Sequence, residues 1–218
     1  MEISLRNIEK SFSGVAVLSN LNLLIKNGEI LVLSGENGSG KTTLLRIISF
    51  LTLPNNGKIY YKIENNVFEY KSPYKPIREV ILKISYLHQK NIILKGNVEY
   101  NIKIGKILRG EDNFEDTFYN LIERFGICDI LKKDIYEISE GQRRIVCLLR
   151  CISVKYDMLI LDEPFTNLDS NYIEILKSFL NEEKNKKKSI IMATPGLKIL
   201  ADLHVDKILQ LGKDGKIN

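Results

Sequence analysis

Short apolar runs and longer amphipathic segments alternate along the 218 residues of the chain. The apolar runs are rich in Ile, Leu and Val, which predicts buried strands. We place these strands at residues 2–8, 17–25, 30–34, 58–70, 158–161, 189–193 and 206–211. Segments with a helical period predict helices at 42–50, after Gly141 and at 170–181. Strands that alternate with helices favour an α/β fold with a mostly parallel sheet and helices packed on it.

The middle of the chain departs from this alternation. Residues 94–135 carry helical periodicity, clearest at Phe114–Phe125, and predict a helical insertion. Pro54-Asn55-Asn56-Gly57 predicts a turn, and Pro73 and Pro76 predict a loop. The insertion therefore interrupts an otherwise regular α/β chain.

Composition sets limits on function. Hydrophobic residues make up 44% of the chain, enough for the core of one domain. The net charge of +5 is compatible with a nucleotide or an anionic membrane surface nearby but does not indicate DNA or RNA, so no nucleic-acid partner is expected. Cys128, Cys147 and Cys151 indicate reduced thiols of a cytoplasmic protein, and they do not form a zinc ligand set. Because no apolar run approaches a span of about 18 residues, we expect a separate chain to cross any membrane.

A glycine-rich loop follows the strand at 30–34. It matches the full pattern G-x-x-x-x-G-K-[ST], whose glycines let backbone N–H groups point at phosphate oxygens, next to a helix N-terminus. We predict that Lys41 reaches the β- and γ-phosphates of ATP and that Thr42 ligates Mg²⁺. The predicted nucleotide contacts are Gly35, Glu36, Asn37, Gly38, Ser39, Gly40, Lys41, Thr42 and Thr43.

The apolar strand at 158–161 runs into two carboxylates. In a nucleotide site of this kind, Asp162 is predicted to hold Mg²⁺, directly or through water. Glu163, one residue further, is placed to polarise the attacking water as the general base. Such a strand alone is a weak signal, and the upstream loop makes the pair specific.

Further motifs make the chain resemble the ATP-binding-cassette (ABC) family. Ile138–Gln142 resembles the family's signature, and it lies about twenty residues before Asp162, the separation that the family uses. Gln89 resembles the Q-loop glutamine, and Asn167-Leu168-Asp169 resembles the D-loop. Phe12 occupies the position of the aromatic residue that stacks on adenine.

The resemblance covers residues 10 to about 211 and implies one ABC ATPase domain over 1–218. Its fold would be a P-loop NTPase core with a mostly parallel sheet, an antiparallel β subdomain at the N-terminal side and a helical insertion subdomain. The core with its β subdomain would comprise approximately 1–90 and 155–218. The helical subdomain, which carries the signature, would comprise approximately 91–154.

The resemblance also implies head-to-tail dimers with ATP sandwiched between two chains. Ser139, Gly141 and Gln142 would contact the γ-phosphate bound by the opposite chain, and Asp169 would belong to the same interface. Gln89 would take part in catalysis, sense Mg²⁺ and the attacking water, and report to a membrane subunit.

Two positions depart from the family pattern. Glu140 stands where glycine is usual, at a position that tolerates side chains. Pro195 stands in the slot of the switch histidine, and proline has no donor for a γ-phosphate. The intact Lys41, Thr42 and Glu163 leave three explanations open: a slow homodimer, one half of an asymmetric heterodimer, or a subunit that mostly binds.

The function that the resemblance implies is a transport ATPase that uses ATP and Mg²⁺ and drives separate transmembrane permease subunits. It would lie in the cytoplasm at the inner face of the cell membrane, as a homodimer or beside a second ABC ATPase. The alternative is a non-transport or regulatory ABC module. Residues 93–102 resemble several groups, including oxyanion importers and exporters, and 162–166 resemble the haem-export type. Neither resemblance selects a cargo or a direction of transport.

Overall fold

The computed structural model of the protein describes residues 1–70, 77–111 and 115–217. The predicted loop at Pro73 and Pro76, and Phe114 at the start of a predicted helical period, lie outside the described residues. The described elements, in chain order, are β1 (Glu2–Phe12), β2 (Val15–Ile25), β3 (Ile30–Ser34), α1 (Lys41–Ile48), β4 (Asn56–Ile63), β5 (Asn66–Tyr70), α2 (Arg78–Ile81), β6 (Ile84–Leu87), α3 (Val98–Arg109), α4 (Glu115–Arg124), α5 (Glu140–Ile152), β7 (Met158–Asp162), α6 (Ser170–Asn185), β8 (Ser189–Ala193) and β9 (Lys207–Gln210). Short 3-10 turns lie at Cys128–Ile130 and Lys198–Leu200.

The strands form two sheets. The first is antiparallel, with the order β2-β1-β4-β5. The second is parallel, with the order β6-β7-β8-β3-β9. The predicted α/β class, with a parallel core, an antiparallel N-terminal part and helices inserted before β7, is confirmed.

The inner strands β3, β7 and β8 of the parallel sheet are covered on both faces, which explains why they are almost continuous apolar runs. In β3, Leu31 and Leu33 face a core shared with the antiparallel sheet and α1. Ile30 and Val32, on the opposite face, join the core formed by α3, α4, α5 and α6. Residues alternate in this way because neighbouring side chains of a strand point to opposite faces.

Tertiary contacts shift several predicted boundaries. The turn predicted at residues 54–57 is wrong in its second half, because Asn56 and Gly57 already belong to β4. A Cβ at Gly57 would lie 2.5 Å from the Asn7 carbonyl oxygen, so this glycine permits the close approach of β1 and β4. Helix α6 continues beyond the predicted residue 181 to Asn185.

No helix within the described part of the chain combines the length and apolar character needed to cross a bilayer.

Candidate nucleotide-binding site

The predicted phosphate loop and acidic pair meet at one edge of the parallel sheet. Strands β3, β7 and β8 are neighbours and run in the same direction, so their carboxyl ends share this edge. Asp162, the last residue of β7, pairs with Ala193, the last residue of β8. We call this side of the sheet the exit edge. Ligands of open α/β sheets bind outside the carboxyl ends of the strands.

The backbone of the loop after β3 adopts conformations that favour glycine. Gly35 has a φ of +142°, and a Cβ there would collide with the Leu211 carbonyl oxygen. Gly40 has a φ of +100° at the N-cap of α1, and no side chain caps this helix. The Ser39 hydroxyl is buried at 2% exposure and has no hydrogen-bond partner among the described residues. The uncapped helix and the orphaned hydroxyl fit a bound phosphate.

Lys41 lies buried beneath this loop. Its Nζ donates to the carbonyl oxygens of Gly35 at 2.7 Å and Glu36 at 2.8 Å. Burial lowers the pKa of the Lys41 ammonium, and the nearby carboxylates of Glu163 and Asp162 oppose that shift. The remaining predicted contacts lie along the same loop and the first turn of α1: Glu36, Asn37, Gly38 and Thr43.

The Asp162 carboxylate is held by hydroxyl groups. Thr42 Oγ1 donates to Asp162 Oδ1 at 3.0 Å, and Tyr86 Oη donates to Asp162 Oδ2 at 3.2 Å. Asp162 is 1% exposed, and this burial raises the pKa of its carboxyl group despite the two hydrogen bonds. A buried carboxylate beside a hydroxyl supplies the hard oxygen ligands that Mg²⁺ prefers.

Glu163 has a left-handed backbone, with a φ of +51°. Its N–H donates to the Ala193 carbonyl at 3.0 Å, and its Oε2 accepts from Thr166 Oγ1 at 3.3 Å. A non-glycine residue in this conformation is uncommon and clusters at functional sites. The turn places a carboxylate directly beyond Asp162, where a general base is predicted.

Gln89 and Phe12 both lie at or just beyond strand ends and are exposed. Gln89 lies two residues beyond β6, the neighbour of β7 in the sheet, and is exposed. Phe12 is 50% exposed at the end of β1, with Lys10 Nζ 4.7 Å from its ring centre. An exposed aromatic ring is available for stacking on a base.

The signature and the D-loop come together elsewhere on the chain. Ser139 caps α5 through a reciprocal pair of bonds: Ser139 Oγ accepts from Gln142 N at 3.2 Å, and Gln142 Oε1 accepts from Ser139 N at 3.0 Å. Asp169 caps α6 through a single bond, in which Asp169 Oδ1 accepts from Tyr172 N at 3.0 Å. Gly141 lies against Asn167, whose carbonyl oxygen would be 3.1 Å from a Cβ at Gly141. These residues line a cleft of about 320 Å³, and no described residue of the loop 35–42 lines it.

The two departures from the family pattern are both exposed. Glu140 is bound through Oε1 by Asn91 Nδ2 at 2.6 Å and lies on the surface. Pro195 lies two residues beyond Ala193 at the exit edge and is exposed. His204 is exposed on the link to β9, and half-buried His88 packs edge-on against Tyr86. Burial and the Arg46 charge lower the pKa of His88.

Sequence reasoning missed two residues of this edge. Tyr86, in the strand before Gln89, binds Asp162. Arg144, two residues after the signature, is buried, and its guanidinium group binds backbone carbonyls of both β7 and the segment after β6. The sequence offered no signal for Arg144, because α5 also carries Arg143 and Arg150, and only the folded structure shows which arginine is buried.

Comparisons with known proteins show which family the chain resembles. A family model described as "ABC transporter" matches residues 18–166. The chain is 32% identical over 194 residues to the tungstate uptake system ATP-binding protein TupC of Peptoclostridium acidaminophilum, covering 88% of this chain and 86% of that protein. It is 31% identical over 178 residues to the cytochrome c biogenesis ATP-binding export protein CcmA of Rickettsia felis, covering 81% of this chain and 85% of that protein. It is 32% identical over 190 residues to the sulfate/thiosulfate import ATP-binding protein CysA 2 of Agrobacterium fabrum, covering 84% of this chain and 52%, about half, of that protein.

Solved structures share the fold. An ATP-binding subunit of an ABC transporter superposes with a TM-score of 0.86 at 22% identity, covering 100% of this chain and 88% of that one. The dimeric structure of MJ0796, a bacterial ABC transporter cassette, superposes with a TM-score of 0.82 at 24% identity, covering 99% of this chain and 96% of that one. The matched family model and the relatives above 30% identity extend the likeness beyond fold. The chain therefore belongs to the ABC transporter family and is one of its ATP-binding ATPase subunits.

Proposed function

We propose that the protein hydrolyses ATP with Mg²⁺ at sites shared by two cassette chains, head to tail, and thereby drives transport through separate membrane subunits. One observation carries the shared site: the phosphate loop and the acidic pair lie at the exit edge, whereas the signature and Asp169 line a separate cleft. A second chain brings the missing half to each nucleotide. Membrane attachment through permease subunits, at the cytoplasmic face, is part of this proposal.

The roles follow from the contacts. Lys41 neutralises the β- and γ-phosphates, exchanging its bonds to loop carbonyls for bonds to phosphate oxygens. Thr42, Asp162 and Gln89 are the residues that would hold Mg²⁺, from the start of α1 and the ends of β7 and β6. When bound, Mg²⁺ supplies neutralisation of the charge on the transferred phosphoryl group. Glu163 orients and deprotonates the attacking water.

The binding surface extends to the adenine and to the partner chain. Phe12 stacks on the base. The backbone of the loop 35–43 surrounds the phosphates, and Ser139, Gly141 and Gln142 reach the γ-phosphate of the opposite chain. Residues 91–154 form the helical subdomain that carries this signature, and approximately 1–90 and 155–218 form the core.

Steady-state ATP hydrolysis tests the catalytic roles. Glu163→Gln removes the general base, and we expect turnover to fall by about 100-fold or more. Glu174→Gln makes the same chemical change on the exposed face of α6 and should leave turnover unchanged. Equal turnover in Glu163→Gln and the wild type would overturn the assignment of the base.

Complementation tests the head-to-tail arrangement. Lys41→Ala disables the loop, and Ser139→Arg disables the signature, so each variant alone should be inactive. Mixed in equal amounts, they should recover turnover, because one of the two shared sites in a mixed dimer then has an intact loop and an intact signature. No recovery on mixing would contradict a site shared between chains.

Pro195 supports a second candidate, in which this chain is the weaker half of an asymmetric heterodimer. Pro195 is exposed at the exit edge and has neither a side-chain donor nor an N–H. Losing one such donor to developing charge lowers turnover by about 100-fold or more. Pro195→His separates the candidates: a large gain in turnover by the purified chain favours a weakened site, and no gain favours a homodimer adapted to proline.

A further inference from the structure

Arg144 lies in α5, two residues beyond the signature, and is 1% exposed. Its Nη1 donates to the carbonyl oxygens of His88 at 2.6 Å and Gln89 at 3.2 Å. Its Nη2 donates to the carbonyl oxygens of Asp162 at 3.0 Å and Glu163 at 2.8 Å. One guanidinium group thus joins the predicted Mg²⁺ sensor and the predicted general base.

The charge of Arg144 has no carboxylate partner within ion-pair distance among the described residues; Asn91 Oδ1 approaches Nη1 at 3.5 Å. A buried charge is costly unless it is well hydrogen-bonded. Here it is stabilised by four backbone carbonyls, all contributed by the two segments at the exit edge. An arginine with a purely structural role could bind any nearby oxygen atoms. Arg144 instead binds the two segments that contain Gln89 and Glu163.

The guanidinium also holds a strained turn. Glu163 has a φ of +51°, and Arg144 binds the carbonyls on both sides of that residue's N–Cα–C unit. The planar fork of an arginine fixes the relative orientation of its acceptors, which a lysine ammonium cannot do. Strained backbone persists only where the surroundings hold it.

Arg109 provides an internal comparison. Its guanidinium binds the carbonyls of Leu82, Ile84 and Lys155, at the start of β6 and just before β7. The two arginines therefore clamp the same pair of strands at opposite ends. Only the Arg144 clamp lies at the exit edge.

We propose that Arg144 is a positioning residue for hydrolysis, which sets Gln89 and Glu163 in register and links both to the signature helix. This inference rests on the proposed function. The consequence is that movement of α5, when a partner chain engages the signature, is transmitted to the general base through one side chain.

The test compares Arg144→Lys with Arg109→Lys by turnover, ATP affinity and thermal midpoint. Both variants lose fork geometry and should lose similar stability. Only Arg144→Lys should lower kcat, by about 10- to 100-fold, because small misplacements of reacting groups have effects of that size. Affinity for ATP should stay near the wild-type value, because Lys41 and the loop are untouched. Arg144→Gln, which removes the charge, repeats the comparison if the lysine variant does not fold.

A double substitution separates positioning from general damage. In the Glu163→Gln background, Arg144→Lys should have a clearly smaller effect on single-turnover rates than in the wild type, because one of the two groups that it positions is already gone. A full additional loss there, or equal losses of kcat in the Arg144 and Arg109 variants, would overturn the positioning role alone. A wild-type chain that neither binds nor hydrolyses ATP would instead overturn the proposed function.

Discussion

The two ends of strands β6 and β7 carry opposite chemistry. At the start, Asp157 pairs with Lys83 at 3.1 Å and Lys188 at 3.3 Å. Although burial raises the pKa of the Asp157 carboxyl group, the two lysines outweigh it and hold that pKa below its usual value. At the exit, Asp162 is bound by the hydroxyls of Thr42 and Tyr86, and burial raises its pKa.

This difference indicates that the start of the two strands contributes to stability, whereas the exit edge forms the functional site. The start is electrostatically satisfied without a ligand, so it stabilises the sheet. The exit keeps a buried carboxylate with no lysine or arginine in ion-pair contact among the described residues, and a left-handed Glu163 beside it. Such unfavourable features persist at sites that a ligand completes.

Of the predicted differences between the two ends, the largest is in ATP turnover after each aspartate is replaced by asparagine. Asp162→Asn should lower Mg²⁺-dependent ATP turnover by about 100-fold or more, because it removes the proposed metal ligand at the point where charge develops. Asp157→Asn makes the same change at the other end of β7 and should retain turnover. Steady-state hydrolysis at saturating ATP measures both. Comparable losses in the two variants would break the contrast.

A glycine at each end of β3 gives a second contrast, in stability. Gly35→Ala should destabilise the chain by about 2–3 kcal/mol, because its φ is +142° and the new Cβ would collide with the Leu211 carbonyl. Gly28→Ala, before β3, should lose only about 1 kcal/mol, since its Cβ would meet Lys187 at an ordinary 3.5 Å. Urea unfolding of the nucleotide-free protein measures both. A larger loss of unfolding free energy in Gly28→Ala than in Gly35→Ala would contradict the close packing of the phosphate loop around Gly35.

The smallest effect is the pH dependence of stability at the two aspartates. Because the folded pKa of Asp157 lies below its unfolded value near 3.8, its stabilisation is present above that pH and is lost as pH falls through the folded pKa. Asp157→Asn should therefore lower the free energy of unfolding by about 0.5–1 kcal/mol at pH 7, and by much less at pH 3.

The sign reverses at Asp162. Its folded pKa lies above 3.8, so ionisation destabilises the nucleotide-free fold once pH rises through that folded pKa. Asp162→Asn should stabilise the nucleotide-free chain at pH 7 and have little effect at pH 3. Unfolding curves at the two pH values test this, and a destabilised Asp162→Asn chain at pH 7 would remove the distinction between the two ends.

Much of the fold could be predicted because its signals are local. The buried runs that became β3, β7 and β8 have apolar residues at successive positions, as strands covered on both faces require. The phosphate loop could also be predicted, because each backbone position with positive φ in the loop is occupied by a glycine that is visible in the sequence. The boundary error at Asn56 occurs where pairing with the neighbouring strand β1 decides how far β4 extends.

The sequence by itself determined the α/β order of elements, the phosphate loop and the acidic end of β7, because these depend on residue type and short spacing. Only the tertiary structure decided which side chains hold them in place. Arg144 reaches His88 across 56 positions and Glu163 across 19, and Tyr86 reaches Asp162 across 76. No periodic pattern encodes such contacts, because they arise when helix α5 packs against the ends of two strands that only the folded sheet brings side by side.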